Sequence, residues 1–254
     1  MKRLVLLLTC ALLASSLMAA SDPTSQAPAE AVAAYRQGLD RWEARQQQGA
    51  AAAFLRAAEL APRWGAPYAR LGVICQLQGK EQEARERYLQ VQDISLGPTG
   101  NMSEAQAHLR GLIVCNEAYV TFLINAARLE NGQQALVPDP TMGIVARRHS
   151  EEMRDRSYFS HTSPTPGLSG CQDRFNAVFG YRPRLIGENI ARRWGVGMYC
   201  LTEPKVHESH VDLMNSEGHR ANILHPDFEW VGVGLAANDK GDYWITEEFV
   251  LPGR

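Results

Sequence analysis

Three short strings in the C-terminal half set ionisable side chains among turn-forming residues. They are Phe159-Ser160-His161-Thr162-Ser163-Pro164, Gly187-Glu188-Asn189-Ile190-Ala191 and Gly218-His219-Arg220-Ala221-Asn222-Ile223-Leu224. Gly, Ser, Asn and Pro favour turns, caps and element ends. Histidine and carboxylate are the groups that ligate metals and move protons near neutral pH. Two neutral imidazoles and one carboxylate can hold a divalent cation such as Zn²⁺, with water completing the set. Water on such an ion is acidified and becomes a hydrolytic nucleophile. The same side chains can instead hydrogen-bond loop backbone and keep a cleft in shape, with Asn189 satisfying further amides. His149, His207, His210 and His225 carry less weight. His207 and His210 lie three apart on one helix face, and His225-Pro226 reads as a turn. Arg220 is placed to pair with Glu217 or Glu188, and Ser163, just before Pro164, reads as a cap or turn residue.

The elements that must position these groups are legible from periodicity. Tyr119, Phe122, Leu123, Ala126 and Ala127 recur at helical spacing, and Gly132 ends that helix. A second helix is predicted over 140–155 and a third over 204–215. Residues 230–236 and 243–250 read as strands, joined by the turn-forming Asn238-Asp239-Lys240-Gly241-Asp242. Another short strand follows Gly187. Helices around a small antiparallel sheet make the fold class α+β.

Residues 30–98 are helical in pattern and rich in Ala, Gln, Glu and Arg. Gly38, Ala50, Phe54, Ala57 and Pro62 recur 34 residues later as Gly72, Ala84, Tyr88, Val91 and Leu96. That period, with small residues where helices meet and aromatics filling the gap, resembles the tetratricopeptide repeat. Ser103 is a candidate cap for a closing helix over 103–115. The expected organisation is a helical module over 30–115 and a second domain over 116–254.

Residues 1–20 read as a signal peptide. Lys2 and Arg3 precede an apolar run from Leu4 to Leu13, and Ala19 and Ala20 suit cleavage. No later segment is expected to be apolar for long enough to cross a membrane. Two of the 26 Lys and Arg residues lie in that leader, so 24 remain against 28 Asp and Glu, a net of −4. This mild acidity argues against a nucleic-acid partner, which would call for a clustered basic face. Cys75, Cys115, Cys171 and Cys200 then remain. An even count in an exported chain suggests disulfides, and four cysteines allow three pairings. Cys75–Cys115 and Cys171–Cys200 is the favoured set because each pair stays within one module. Buried free thiols are the alternative.

Taken together, the C-terminal residues resemble a bacterial member of the CAP superfamily, the SCP-like extracellular domain, over about residues 116–254. The resemblance rests on Asn125, Arg128, Leu136, Asp139, His149-Ser150 and Met153, then the three strings in order, then Val231-Gly232-Val233-Gly234 and Tyr243-Trp244. It implies an α-β-α sandwich with a cleft that carries two His and two Glu in animal members. His161, Glu188 and His219 match three of those positions. Ser216 stands where the second Glu would be, with Glu217 beside it, and Leu213 replaces a common Trp. Members of that family bind lipids, sterols, metal ions or partner proteins, and enzymatic activity is not the rule. The resemblance therefore implies an envelope or exterior binding protein, with zinc as a candidate cofactor and a protein, lipid or envelope ligand as partner. A metal-dependent hydrolase and an interaction scaffold are the alternatives.

Overall fold

The computed structural model describes residues 27–97, 100–194 and 201–253. The signal-peptide expectation and Cys200 fall outside them. Four helices come first: α1 (Ala29–Glu43), α2 (Gln47–Leu60), α3 (Gly65–Leu77) and α4 (Glu81–Leu96). They pack as two hairpins built alike. A Cβ on Gly38 would lie 2.4 Å from the Phe54 ring, and one on Gly72 would lie 2.4 Å from the Tyr88 ring. Both glycines are needed because an aromatic ring lies against the backbone there. Ala50 and Ala84, fully buried, allow the paired helices to approach.

Helix α5 (Glu104–Glu130) follows, opened by a reciprocal cap. Gln106 N–H donates to Ser103 Oγ at 3.3 Å, and Ser103 N–H donates to Gln106 Oε1 at 2.9 Å. Gly132, at φ 72°, turns the chain after its end. The expected boundary between residues 115 and 116 thus falls inside one continuous 27-residue helix. The membrane expectation also needs correcting, because α5 is long and apolar enough, by length and composition, to cross a bilayer. Most of it is buried in protein instead. Asn125 Nδ2 donates to Tyr88 OH (3.1 Å) and to Leu136 O (2.9 Å), and Arg128 Nη1 donates to the carbonyls of Ile223 (2.7 Å) and His225 (2.9 Å).

The remaining elements are β1 (Val137–Pro138), α6 (Pro140–Asp155), α7 (Cys171–Phe179), β2 (Leu185–Arg193), α8 (Glu203–Asn215), α9 (Glu217–Leu224), β3 (Trp230–Ala237) and β4 (Tyr243–Leu251). The sheet order is β1-β3-β4-β2, with β1 parallel to β3 and the other pairs antiparallel. Helices α7 and α9 were not foreseen, and β2 is longer than expected. Strand alternation sends Val231, Val233, Leu235, Ile245 and Phe249 into a core with Val120, Ile124, Val206, Leu213 and Ile223 from α5, α8 and α9. The opposite face receives α6 and α7 through Met142, Val145, Phe175 and Val250. Helices on both sides of the sheet make the α-β-α sandwich.

Helix α6 lies directly on β3. Its start is fixed by Asp139, whose Oδ1 accepts from Met142 N–H at 2.8 Å, and by Pro140 in the first turn. Buried Glu117 on α5 receives Arg147 Nε (2.9 Å), Arg147 Nη2 (2.5 Å) and Leu235 N–H (2.8 Å). Arg147 Nη2 also donates to Ser95 Oγ at 3.2 Å, so α4, α5, α6 and β3 meet at one ion pair.

The cysteine pairing is corrected as well. Cys75, Cys115 and Cys171 are free thiols. The Cys75 thiol is directed to Glu83 on α4 (3.9 Å), whereas Cys115 on α5 lies near Glu203 and Arg85, so the two sulfurs serve different neighbours.

A Cβ on Gly234 would lie 1.9 Å from Arg147 N and 2.3 Å from Ala146 C, backbone atoms that cannot rotate aside. Gly234→Ala is expected to destabilise the fold by at least about 3 kcal/mol in urea unfolding. Gly218→Ala, in open space on α9, should change it by less than about 1 kcal/mol.

Candidate functional site

The site forms where β2 meets the loop after α6 and the start of α9. Glu188 and Asn189 are neighbours on β2, so their side chains leave opposite faces of the sheet. Glu188 points toward α6 and α7, and Asn189 toward α9. Register pairs Glu188 with Glu248 and Asn189 with Glu247 on β4, which places one buried glutamate beside each.

On the Glu188 side, Oε1 bonds His161 Nδ1 at 2.8 Å and Oε2 accepts from Arg174 Nη2. Arg174 also lies 3.6 Å from Glu248 Oε1. Burial would raise the Glu188 carboxyl, but the His161 hydrogen bond and the Arg174 charge outweigh it and hold the group below its usual range. Glu248 goes the other way. Burial and the Glu188 charge push it well above the carboxylate range. At neutral pH the pair therefore carries one negative charge against the one positive charge of Arg174. Cys171, at the start of α7, feels burial and both carboxylates, and its thiol is pushed up to about 12.

The loop carrying His161 is held by its own hydrogen bonds. Arg174 Nη1 donates to His161 O at 3.3 Å and Ser169 O at 3.3 Å. His149 Nε2 lies 3.1 Å from Ser160 O, an acceptor, so this nitrogen carries the proton. Burial, then Arg174, pushes the His149 pKa down, so the ring is neutral. Glu152 takes Tyr158 OH (2.7 Å) and Thr165 Oγ1. Ser163 is the turn residue expected, since its Oγ accepts from Thr165 N–H at 3.0 Å.

On the other face, Asn189 Nδ2 donates to His219 O at 3.1 Å and to Glu247 Oε2 at 3.0 Å. Asn222 Nδ2 donates to Asn189 Oδ1 (2.9 Å) and Glu188 O (3.2 Å), which staples α9 to β2. Gly187 is required there because a Cβ would come within 2.9 Å of Asn222 Oδ1. Ser216 ends α8 and begins α9, and its Oγ lies 2.9 Å from His219 Nδ1. Burial, then the nearby His161, pushes the His219 pKa down.

The structure thus brings His161, Glu188, His219, Ser216 and Asn189 together. Glu217 is exposed in the first turn of α9 and makes no bond to the other cleft residues. Arg220 donates to Met214 O at 2.9 Å, not to a glutamate. His207 pairs with Tyr119 OH at 3.0 Å, and His210 is buried, which pushes its pKa down to about 4. Both Glu188 oxygens are occupied, so it orients His161 and is not a ready metal ligand. Among the described residues no three His, Cys, Asp or Glu side chains are grouped to hold a metal ion. Arg174, Glu247, Glu248, Asn222 and the loop-holding role of His149 were not foreseen. The adjacent Glu247-Glu248 within a strand was the one available signal. A strand covered on both faces buries both.

Burial raises the Glu247 pKa to about 7, against the pull of its hydrogen bond from Asn189. A carboxyl raised in the folded state stays protonated while its unfolded counterpart ionises, so folding loses stability as pH rises from about 4.5 to 7 and then levels off. Glu247→Gln should remove that loss. The difference in unfolding free energy between Glu247→Gln and the parent is expected to grow by about 3 kcal/mol between pH 4 and pH 8, read by chemical denaturation.

Residues 121–250 match the Cysteine-rich secretory protein family, CAP. Among curated relatives, the uncharacterized protein YkwD of Bacillus subtilis is 38% identical over 137 residues, 53% of this chain and 46% of that protein. The uncharacterized membrane protein YlbC of the same organism is 34% identical over 121 residues, 47% of this chain and 31% of that one. The chain thus spans less than half the length of either relative. Among solved structures, an extracellular SCP-domain protein from Bacillus anthracis has a TM-score of 0.47 at 30% identity, covering 60% of this chain and 45% of that one. An outer surface protein of Borrelia burgdorferi has a TM-score of 0.45 at 14% identity, covering 54% of this chain and 93% of that one. The family match runs from the middle of α5 to the end of β4 and takes in every residue of the cleft, and this chain belongs to the Cysteine-rich secretory protein (CAP) family.

Proposed function

We propose that this chain is an exported binding protein whose cleft presents two imidazoles to a ligand of the cell envelope or exterior. The observation that carries this reading is the bonding of the two rings. His161 and His219 each spend Nδ1 on an internal partner, Glu188 or Ser216, which leaves both Nε2 atoms for a ligand. His161 is also 55% exposed at its side chain, above a Glu188 that is 3% exposed. Such a site is preformed, so little ordering is required on binding. The leader over 1–20 supports an exterior location. The N-terminal hairpins, which we read as tetratricopeptide-like from their 34-residue recurrence, would add a partner surface.

The donor set does not fit a tight zinc centre. Two imidazoles fall short of the three or four protein ligands that zinc sites use, and Glu188 is engaged by Arg174. Calorimetry is therefore expected to show no saturable heat at micromolar zinc and neutral pH. Saturable heat in the parent that vanished in His161→Ala/His219→Ala would establish a metal site instead.

A second reading follows from the His161–Glu188 hydrogen bond. A carboxylate on Nδ1 fixes the tautomer and leaves Nε2 as a base, so His161 has the geometry of an oriented general base. One panel separates the two. Muropeptides and glycerol-phosphate polymer fragments would be screened by thermal shift and by mass-spectrometric turnover. The binding reading expects a fragment that stabilises the parent by a few degrees, fails to stabilise His161→Ala/His219→Ala and is returned intact. Turnover lost in His161→Ala would support the hydrolase. A shift that survives the double substitution would overturn both.

A further inference from the structure

A second recess lies between α6 and α7, and none of His161, Glu188 and His219 lines it. Its volume is about 310 Å³. Val145, Leu168, Ala177 and Val178 make it largely apolar. Two buried polar residues also line it, and each has an atom with no hydrogen-bond partner, His149 Nδ1 and Arg174 Nε. The two residues are 1% and 6% exposed. Buried polar groups are nearly always paired, so two orphans in one cavity wall point to a missing group.

The chemistry of the two orphans is complementary. His149 Nε2 carries the proton toward Ser160 O, so Nδ1 is an acceptor. The closest carboxylate oxygen, Glu152 Oε2 at 3.9 Å, is also an acceptor and already takes the Tyr158 hydroxyl. Arg174 Nε is a donor. A hydroxyl or an amide is the smallest neutral group that donates to one and accepts from the other. Charge excludes the ionic alternatives. The Arg174 charge is already matched by Glu188, so a ligand carboxylate would add negative charge beside Glu152. An ammonium would face the guanidinium.

We propose that this recess is a binding site for an uncharged ligand with an apolar body and one alcohol or amide group, held by His149 Nδ1 and Arg174 Nε. Its body would lie on Val145, Leu168 and Val178. The site is independent of the cleft reading, because the cleft imidazoles do not touch it.

The test is an NMR titration of the ¹⁵N-labelled full chain with hexan-1-ol and with hexanamide. Saturable shifts confined to amides of α6 and α7 are expected, with a Kd of about 1 mM or tighter for ligands of this size. Hexanoate and hexylammonium should bind at least about tenfold more weakly, since each lacks one half of the donor–acceptor pair or brings charge. Ala177→Trp, an exposed position on the rim, should abolish the shifts while leaving the fold intact. His149→Phe should weaken hexan-1-ol about tenfold, consistent with loss of a buried hydrogen bond. No saturable shift with either neutral probe would overturn the proposal, as would equal binding of hexanoate or shifts unchanged in Ala177→Trp. Failure here leaves the cleft panel above unaffected, so the two ideas fall separately.

Discussion

The buried pair between Glu117 and Arg147 is the interaction on which the rest of the molecule depends. It joins a helix of the N-terminal half to the helix that covers the sheet, and it takes the Leu235 amide as a third partner. Desolvation makes such a pair costly to break, because removing one side leaves the other charge stranded in the interior. Its geometry also requires α6 to touch β3. Gly232 and Gly234 supply the room, since a side chain at either would occupy the backbone of Met142 or Arg147. Once α6 is seated, His149 and Glu152 are seated too, and with them the loop that ends in His161.

A second charge arrangement acts within that frame. Arg174 faces Glu188 and Glu248, and it also gathers the carbonyls of His161 and Ser169. One guanidinium therefore balances a carboxylate and anchors a loop. Its planar fork of donors suits both tasks, which a lysine would not. The cleft owes its order to this residue more than to the histidines that line it. Those histidines are the outward ends of hydrogen-bond chains whose inner ends are buried in the sheet.

Much of this was legible in the sequence. The helix over 140–155, the hairpin of β3 and β4, and the Ser103 cap follow from periodicity and turn chemistry. Tyr88 and Phe54, spaced 34 residues apart, identify the glycines they cover. His161, Glu188, His219, Asn189 and Ser216 were named from their neighbours, and the fold gathers them. The rest depends on contacts between distant residues. Arg174 reads as an ordinary charge on a short helix until the register of β2 and β4 brings Glu188 and Glu248 together. Glu188 reads as a metal ligand until that guanidinium is seen on its second oxygen. The cysteine pairing failed for the same reason. Sequence distance grouped Cys75 with Cys115, but helices α3 and α5 direct their thiols to different neighbours. The module boundary failed because a helix can satisfy two cores at once along its length.

That last feature makes rotational phase an inherited property of the chain. Helix α5 spans about 40 Å without a break, with its first half against the hairpins and its second half in the sandwich core. One residue inserted between Arg110 and Glu117 would turn the N-terminal hairpins by about 100° relative to the sheet. Gln92 and Ser95 would then leave Arg147, while the cleft kept its own contacts. Insertions of three or four residues come nearer to restoring the phase but still carry the hairpins about 5 Å along the axis. Chains descended from a common ancestor of this one can vary their loops freely, but in this helix length and angle are bound together.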